Sequence, residues 1–332
     1  MKILIIRIDF LGDMICTTPL IYSLKQKWPN AEIHVLANKY NAPILDNNPY
    51  VSHIHTYVYS KEFSRNIEPG KFNALINRIR LIFKLRKIHF DLGIIPNGGM
   101  NKNSIQFIKQ LNIPDCRWHT PESEFDDRNN DHIANRPIIH ESLSGFSLLP
   151  ELKSPSVSEL RVMVYPDEFM RKKWCNIINK SNRKKLGFFV SNKSGYRKWD
   201  LDKWFILSNE IADIADIFIF HDPTEKIGKQ INSNFTVLET NSIQDMVAAT
   251  SWMDMIVSTD SAPVHLGSAL KIPVVSLFEN RPEKYLRWHP IGINHILIKN
   301  GKIVNDIEVV SVKNAIIQLL DKINNTTPET YI

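Results

Sequence analysis

The 332-residue chain has three cysteines, no long apolar run and no glycine-rich nucleotide fingerprint, and each absence closes a class of reading. Cys16, Cys116 and Cys175 are widely spaced and follow no ligand pattern. That argues against a disulfide framework or a zinc site and suits a reducing cytoplasm. No apolar run approaches the roughly 20 residues needed to span a bilayer. The opening MKILIIRIDFLGD lacks a small-residue cleavage pattern and meets an acid early, so it reads as a first strand and not as a signal peptide. There is no GxGxxG, which leaves a nicotinamide reading without support, and no GxxxxGK[ST], which removes the P-loop. His55, His89, His119, His132, His221 and the pair His140-Glu141 lack metal-ligand spacing. No metal and no cofactor are expected.

What is present begins with charge. The net charge is +6, and one segment carries as much as the whole chain. Between residues 61 and 90, Lys61, Arg65, Lys71, Arg78, Arg80, Lys84, Arg86 and Lys87 face only Glu62 and Glu68. A basic face attracts phosphates on nucleic acid, an anionic membrane or a phosphorylated glycolipid; a solvated helix face explains it equally well. No nucleic-acid motif with aromatics beside the basic residues accompanies it, so nucleic acid is not an expected partner.

The pattern alternates. KILIIRI (2–8) is a β-prone run of the kind buried on both faces of a sheet. After a turn at 9–12 comes a helix with Ile15, Leu20, Leu24 and Trp28 near helical spacing, and Pro19 inside it as a source of distortion. EIHVLA (32–37) completes a β-α-β unit, for which a parallel crossover is expected. FDLGIIP (90–96) is a further strand that runs into Asn97-Gly98-Gly99, with NSIQFIKQL as the helix after it. Residues 118–136 read as a polar loop, and IIHESLSGFSLLPEL reads as a helix closing the first half. Prolines and serines between Lys153 and Asp167 suit a linker. KLGFFVS (185–191), DIFIFH (216–221), FTVLE (235–239), MIVST (255–259) and PVVSLF (273–278) repeat the alternation, and residues 307–323 end it as a helix. Two doubly wound α/β domains are expected, 1–160 and 161–332, with an interdomain cleft between their inner rims and a terminal helix able to pack back on the first.

Three places can carry chemistry. At 258–264 a strand ends in Thr259, Asp260 and Ser261 suit a helix cap, and Pro263 suits a first turn. Such a helix start can bind a phosphate, with Ser261 and the small Ala262 leaving amides accessible and Asp260 accepting from sugar hydroxyls. A plain cap, with His265 merely packed, explains the same residues. In SNKSGYRKWDLDKW (191–204), Lys193, Arg197 and Lys198 place cations on a loop able to neutralise a diphosphate leaving group. Trp199 reads as the packing anchor and Asp200 as a cap; a solvated basic loop is the bland alternative. In the opening turn, Gly12 bends the chain and Asp13 stands at the first helix. A carboxylate there is stabilised by the helix dipole and kept ionised, fit to act as a general base or simply to cap. Asp9 is less well placed.

Together these pieces resemble glycosyltransferase family 9, the heptosyltransferases of the lipopolysaccharide inner core. Leu11-Gly12-Asp13 with Thr17, Thr18 and Pro19 matches the family's LGD turn and TxP helix. Thr259-Asp260-Ser261, His265-Leu266, Ala269-Leu270 and Pro273 to Phe278 match its second-domain segment. Arg197-Lys198-Trp199 matches its KxW loop, and FDLGIIPNGG resembles its YDLVIDLQG stretch.

The resemblance implies a GT-B fold of two Rossmann-like domains and a metal-independent, inverting transfer of a heptose from ADP-heptose. Asp13 would deprotonate the acceptor hydroxyl, with Gly12, Asn97 and Gly98 on the acceptor side. Thr259 and Asp260 would lie at the donor sugar, and the amides from Ser261 through Ala262 to Val264 at the diphosphate. Arg197 or Lys198 would be the phosphate clamp, Glu225 would bind the ribose, and His265 keeps the family position. The implied partners are a nucleotide sugar and a phosphorylated glycolipid acceptor, met at the cytoplasmic face of the inner membrane by a cytoplasmic, peripherally associated protein. Ser261-Ala262 replaces the family's usual Thr-Gly, and Glu279-Asn280 its usual Gly-Pro, close to where the donor sugar would sit.

Overall fold

The structure is a computed structural model and describes residues 1–57, 71–120, 129–135, 138–225, 227 and 234–325. Lys61, Glu62, Arg65 and Glu68 of the basic segment, and residues 121–128 of the polar loop, lie outside the described residues. The chain divides into two units, Met1–Tyr165 and Pro166–Ile332, against an expected border of 160/161.

The first unit runs β1 (Lys2–Arg7), α1 (Leu11–Lys27), β2 (Glu32–Asn38), β3 (His53–Tyr57), α2 (Lys71–Arg86), β4 (Leu92–Ile95), α3 (Lys102–Ile108), β5 (Asp115–Trp118) and α4 (Asn130–Asn135). Its sheet has the order β3-β2-β1-β4-β5, and every pairing is parallel. Ile3, Leu4, Ile5 and Ile6 of β1 are fully buried, as a central strand covered on both faces requires. Strands β3 and β5 are additions to the sequence reading. Their half-polar sequences, HIHTY and DCRW, give no continuous apolar run, because they form the sheet's two edges. The helix expected over IIHESLSGFSLLPEL is instead a pair of 3-10 turns, Glu141–Leu143 and Phe146–Leu148. Gly145 separates them, and a Cβ there would lie 2.6 Å from Leu20 Cδ2.

Helix α1 corrects two expectations. It starts at Leu11, after an extended Phe10, so Gly12 lies in the first helical turn and bends nothing. Pro19 does not interrupt the helix. A proline at 19 withholds the N–H that would bond the carbonyl four residues back, at Ile15. The Thr18 hydroxyl donates to that carbonyl at 2.7 Å and accepts the Met163 N–H at 3.0 Å. Thr17 donates to the Asp13 carbonyl at 2.8 Å.

The second unit runs α5 (Glu168–Ile178), β6 (Lys184–Phe189), α6 (Leu201–Ile211), β7 (Ala215–Phe220), β8 (Phe235–Leu238), α7 (Ile243–Thr250), β9 (Met255–Thr259), α8 (Ala262–Leu270), β10 (Val274–Glu279), α9 (Pro282–Trp288), β11 (His295–Gly301) and α10 (Val309–Asn325). The sheet order is β11-β10-β9-β6-β7-β8, again parallel throughout. The terminal helix α10 buries Val312, Ala315, Ile316, Leu319 and Leu320 in this unit's own core, with Leu277 of β10 and Leu207 of α6. Gly267 lets α8 approach the sheet closely: a Cβ there would stand 2.9 Å from Ile256 Cδ1 and collide with Val274.

Each sheet reverses its winding once. In the first unit the reversal lies between β1 and β4, in the second between β6 and β9. In open α/β sheets, ligands bind beyond the carboxyl ends of the strands at this switch point. At these switch points lie segments 8–13 with 96–98, and 190–198 with 260–264.

Candidate functional site

At the first switch point the last residue of β1, Arg7, is buried, and three carboxylates close on it. Arg7 Nε lies 2.9 Å from Asp9 Oδ1, and its Nη2 lies 2.6 Å from Asp13 Oδ1 and 2.8 Å from Glu141 Oε1. The turn after the strand is held by amide side chains: Asn38 donates to the carbonyls of Ile8 and Asp9, and Asn41 to that of Arg7. Asn97, just past β4, donates to Asp9 Oδ2 at 2.5 Å, and the Gly98 N–H donates to Glu141 Oε1 at 3.1 Å. Asn97 Oδ1 is buried without a hydrogen-bond partner. Gly12, Asp13, Asn97 and Gly98, singled out from sequence, thus share one site. Arg7, Asp9, Glu141, Asn38 and Asn41 complete it and were not assigned to it.

The electrostatics differ from the expectation of an acid kept ionised by the helix dipole. Asp13 is in the first turn of α1, and its Oδ2 accepts the Phe10 N–H at 3.2 Å, so it also caps. Burial is the largest influence and raises its carboxyl above the usual range; Arg7 pulls it down, and Glu141 adds to the rise. Burial pushes Asp9 up to about 7, with Arg7 opposing and Asp13 and Glu141 reinforcing. One cation cannot neutralise three carboxylates, so the cluster holds a proton more readily than separate carboxylates would.

The second switch point is assembled differently. Asn192, one of the residues after β6, donates to Thr259 Oγ1 at 2.9 Å and to the Asp260 carbonyl at 3.0 Å, joining the two loops. Arg197 Nη1 lies 3.3 Å from the Asp260 carbonyl and 3.5 Å from its Oδ2. Lys198 points elsewhere, with Nζ 3.8 Å from Glu225 Oε1, and Ser191 donates to Glu225 Oε2 at 2.7 Å. The two adjacent cations therefore serve different acids. Trp199 anchors the loop as expected: it is fully buried, donates to the Ile307 carbonyl at 2.9 Å and meets Trp204 edge-on.

Ser261 is the N-cap of α8, but its side chain does not cap; the hydroxyl turns back to the Thr259 carbonyl at 3.1 Å. Val264 N–H already bonds the Ser261 carbonyl at 3.1 Å, and Pro263 has no N–H, which narrows the amides expected at this turn to Ser261 and Ala262. Asp200 holds the N-cap position of α6 without capping it, its carboxylate accepting from Asn305 at 2.7 Å instead. His265 is buried and packs edge-on to Trp288 at 5.8 Å between ring centres. Asp260 is buried and its carboxyl is raised, by burial first, against the pull of Arg197 and Lys284 and with reinforcement from Glu279. Glu279 is buried at the end of β10.

The model of glycosyltransferase family 9 (heptosyltransferase) matches residues 78–314. Lipopolysaccharide heptosyltransferase 3 of Escherichia coli is 22% identical over 86% of this chain and 85% of its own length. A solved glycosyl transferase of family 9 from Veillonella parvula superposes with a TM-score of 0.79, covering 97% of both chains at 15% identity. The ADP-heptose lipopolysaccharide heptosyltransferase II of E. coli gives 0.69 at 18% identity, over 98% of this chain and all of that one. The resemblance carried by the LGD turn and the DS…HL segment is thereby met, and the fold is GT-B.

Proposed function

Since the chain belongs to glycosyltransferase family 9, we propose that it is an inverting enzyme that moves a heptose from ADP-heptose to a lipopolysaccharide inner-core acceptor, with no metal in the transfer step. The observation that carries this reading is Asp13: a buried carboxylate at a switch point, one oxygen 2.6 Å from Arg7, its affinity for protons raised by burial. A base works best when its pKa approaches the working pH, and burial moves Asp13 that way. The unpartnered Asn97 Oδ1 is an acceptor for a sugar hydroxyl. In the step itself, the acceptor oxygen attacks the anomeric carbon, Asp13 takes its proton, and the bond to the diphosphate breaks with inversion. Arg197 beside the start of α8, with the Ser261 and Ala262 amides, receives the charge left on ADP. Glu225, braced by Ser191 and Lys198, binds the ribose.

Helix α2 suits a glycolipid partner held in a membrane. Phe72, Leu75, Ile79 and Phe83 are exposed along one stripe of it, and Arg80, Lys84, Arg86 and Lys87 are exposed around them. An apolar stripe bordered by cations fits an anionic lipid surface. Among the described residues no helix is long and apolar enough to cross a membrane, so association would be peripheral. A second reading, a family 9 transferase for another sugar, is favoured by Glu279, whose buried carboxyl acts on Asp260. The deciding experiment is nucleoside diphosphate release, ADP or UDP, over a panel of nucleotide sugars with truncated core acceptors. ADP-heptose should be preferred; turnover with UDP-sugars alone would remove the donor assignment.

A further inference from the structure

The first sheet holds another group of chemistry-bearing side chains, at the end away from Asp13. Glu32 pairs with Lys2 at the start of β1, whereas Arg7 pairs with Ala37, so the two ends lie a full strand apart. Glu32 and His34 are two residues apart on β2 and share a face, and the register sets His53 of β3 beside His34. One ligand atom from each of the three lies within 4.8 Å of the others. Linear spacing hides this group because it depends on strand register.

His34 carries the argument. It is 3% exposed, and its Nε2 is buried without a hydrogen-bond partner, 3.6 Å from Glu32 Oε2. A buried polar atom left unsatisfied is destabilising, so an unpartnered nitrogen among other donors asks for a ligand. Its other nitrogen is engaged: Nδ1 lies 3.0 Å from His55 Nε2. In the tautomer with Nδ1–H donating to His55, Nε2 keeps its lone pair, beside Glu32. Metal-binding imidazoles are oriented by such an outer hydrogen bond. Phe90 packs edge-on against the His34 ring and holds it in place.

We propose that Glu32, His34 and His53 hold a transition-metal ion of the zinc class, with water as a fourth ligand, clipping the edge strand β3 to β2. Two imidazoles and one carboxylate suit Zn²⁺, Co²⁺ or Ni²⁺, and poorly suit Ca²⁺ or Mg²⁺, which take oxygen ligands. Ligand atoms about 2.0–2.1 Å from zinc in a tetrahedron must draw closer than they now are, and the exposed Glu32 and His53 side chains are free to turn. Lys2 and Lys84, whose charges reach His34 and His55, oppose a dication.

The test uses the full chain after chelator treatment, titrated with Co²⁺ and then Zn²⁺. Wild type should take up one equivalent of Co²⁺ with the visible absorption of a four-coordinate ion, bleached by Zn²⁺. His53→Ala and Glu32→Gln, at exposed positions, should bind that equivalent at least tenfold more weakly while circular dichroism is unchanged. Absence of the Co²⁺ signal in wild type overturns the site, as does wild-type affinity in both variants. The readout is metal binding, so it stands or falls apart from glycosyl transfer.

Discussion

The two switch points have the same topology and opposite chemistry. In the first unit, one buried arginine serves three carboxylates. In the second, Arg197 and Lys198, each about 40% exposed, serve separate acids. A doubly wound sheet provides the place, a rim where loops from two strands meet, and the side chains decide whether that rim handles protons or phosphates. A surplus of buried acid raises proton affinity and suits a base. Exposed cations beside a helix start suit an anion.

The sharpest break of this comparison is Asp13→Asn. It should lower turnover by about 10²–10⁴-fold, the range for a general base, while donor binding, measured by calorimetry, stays within twofold. Wild-type turnover in the variant would return the cluster to a structural role. Next, Arg7→Met should leave the buried Asp13 and Glu141 and the half-buried Asp9 uncompensated and destabilise the first unit by about 3–5 kcal/mol, read from denaturant unfolding. A shift as small as that of a surface residue would mean that the acids do not depend on Arg7.

The pH dependence is the third measure. The Asp9 carboxyl is raised from 3.8 to about 7 in the folded state, so the folded protein binds more protons than the unfolded chain between those values. This contribution to stability is present at low pH and lost as pH rises through about 7. Asp9→Asn should flatten the fall in melting temperature between pH 5 and about 8; an unchanged slope would place the proton elsewhere. The smallest expected effect separates the two cations. Arg197→Ala should weaken ADP binding by about tenfold, as loss of a charged hydrogen bond does, and Lys198→Ala by less. Equal, negligible losses would remove the clamp from both.

Much of the fold was legible because buried parallel strands are nearly continuous apolar runs, as MIVST and KILIIRI are. The edge strands β3, β5 and β11 were missed because each mixes polar with apolar residues and offers no long apolar run. Asp13, Asn97 and Gly98 were legible because each directly follows a buried strand or opens a helix. Arg7 was in plain view but read as part of its strand. Glu141 is separated from Arg7 by 134 residues and sits in a 3-10 turn read as a helix, so only the folded chain brings it home. His34 and His53 need a strand register that linear spacing does not contain.

The Thr18-Pro19 pair carries a consequence for anyone altering this helix. The hydroxyl at 18 supplies the hydrogen bond that the ring at 19 withholds, and also takes up the Met163 amide. The two positions are therefore epistatic. Thr18→Val strands a carbonyl and an amide at once, whereas with Pro19→Ala in place the carbonyl regains its usual donor and the same valine should be better tolerated. A substitution scan that varies one position at a time would score both residues by the wrong measure, and only the double-mutant cycle would recover the device they form.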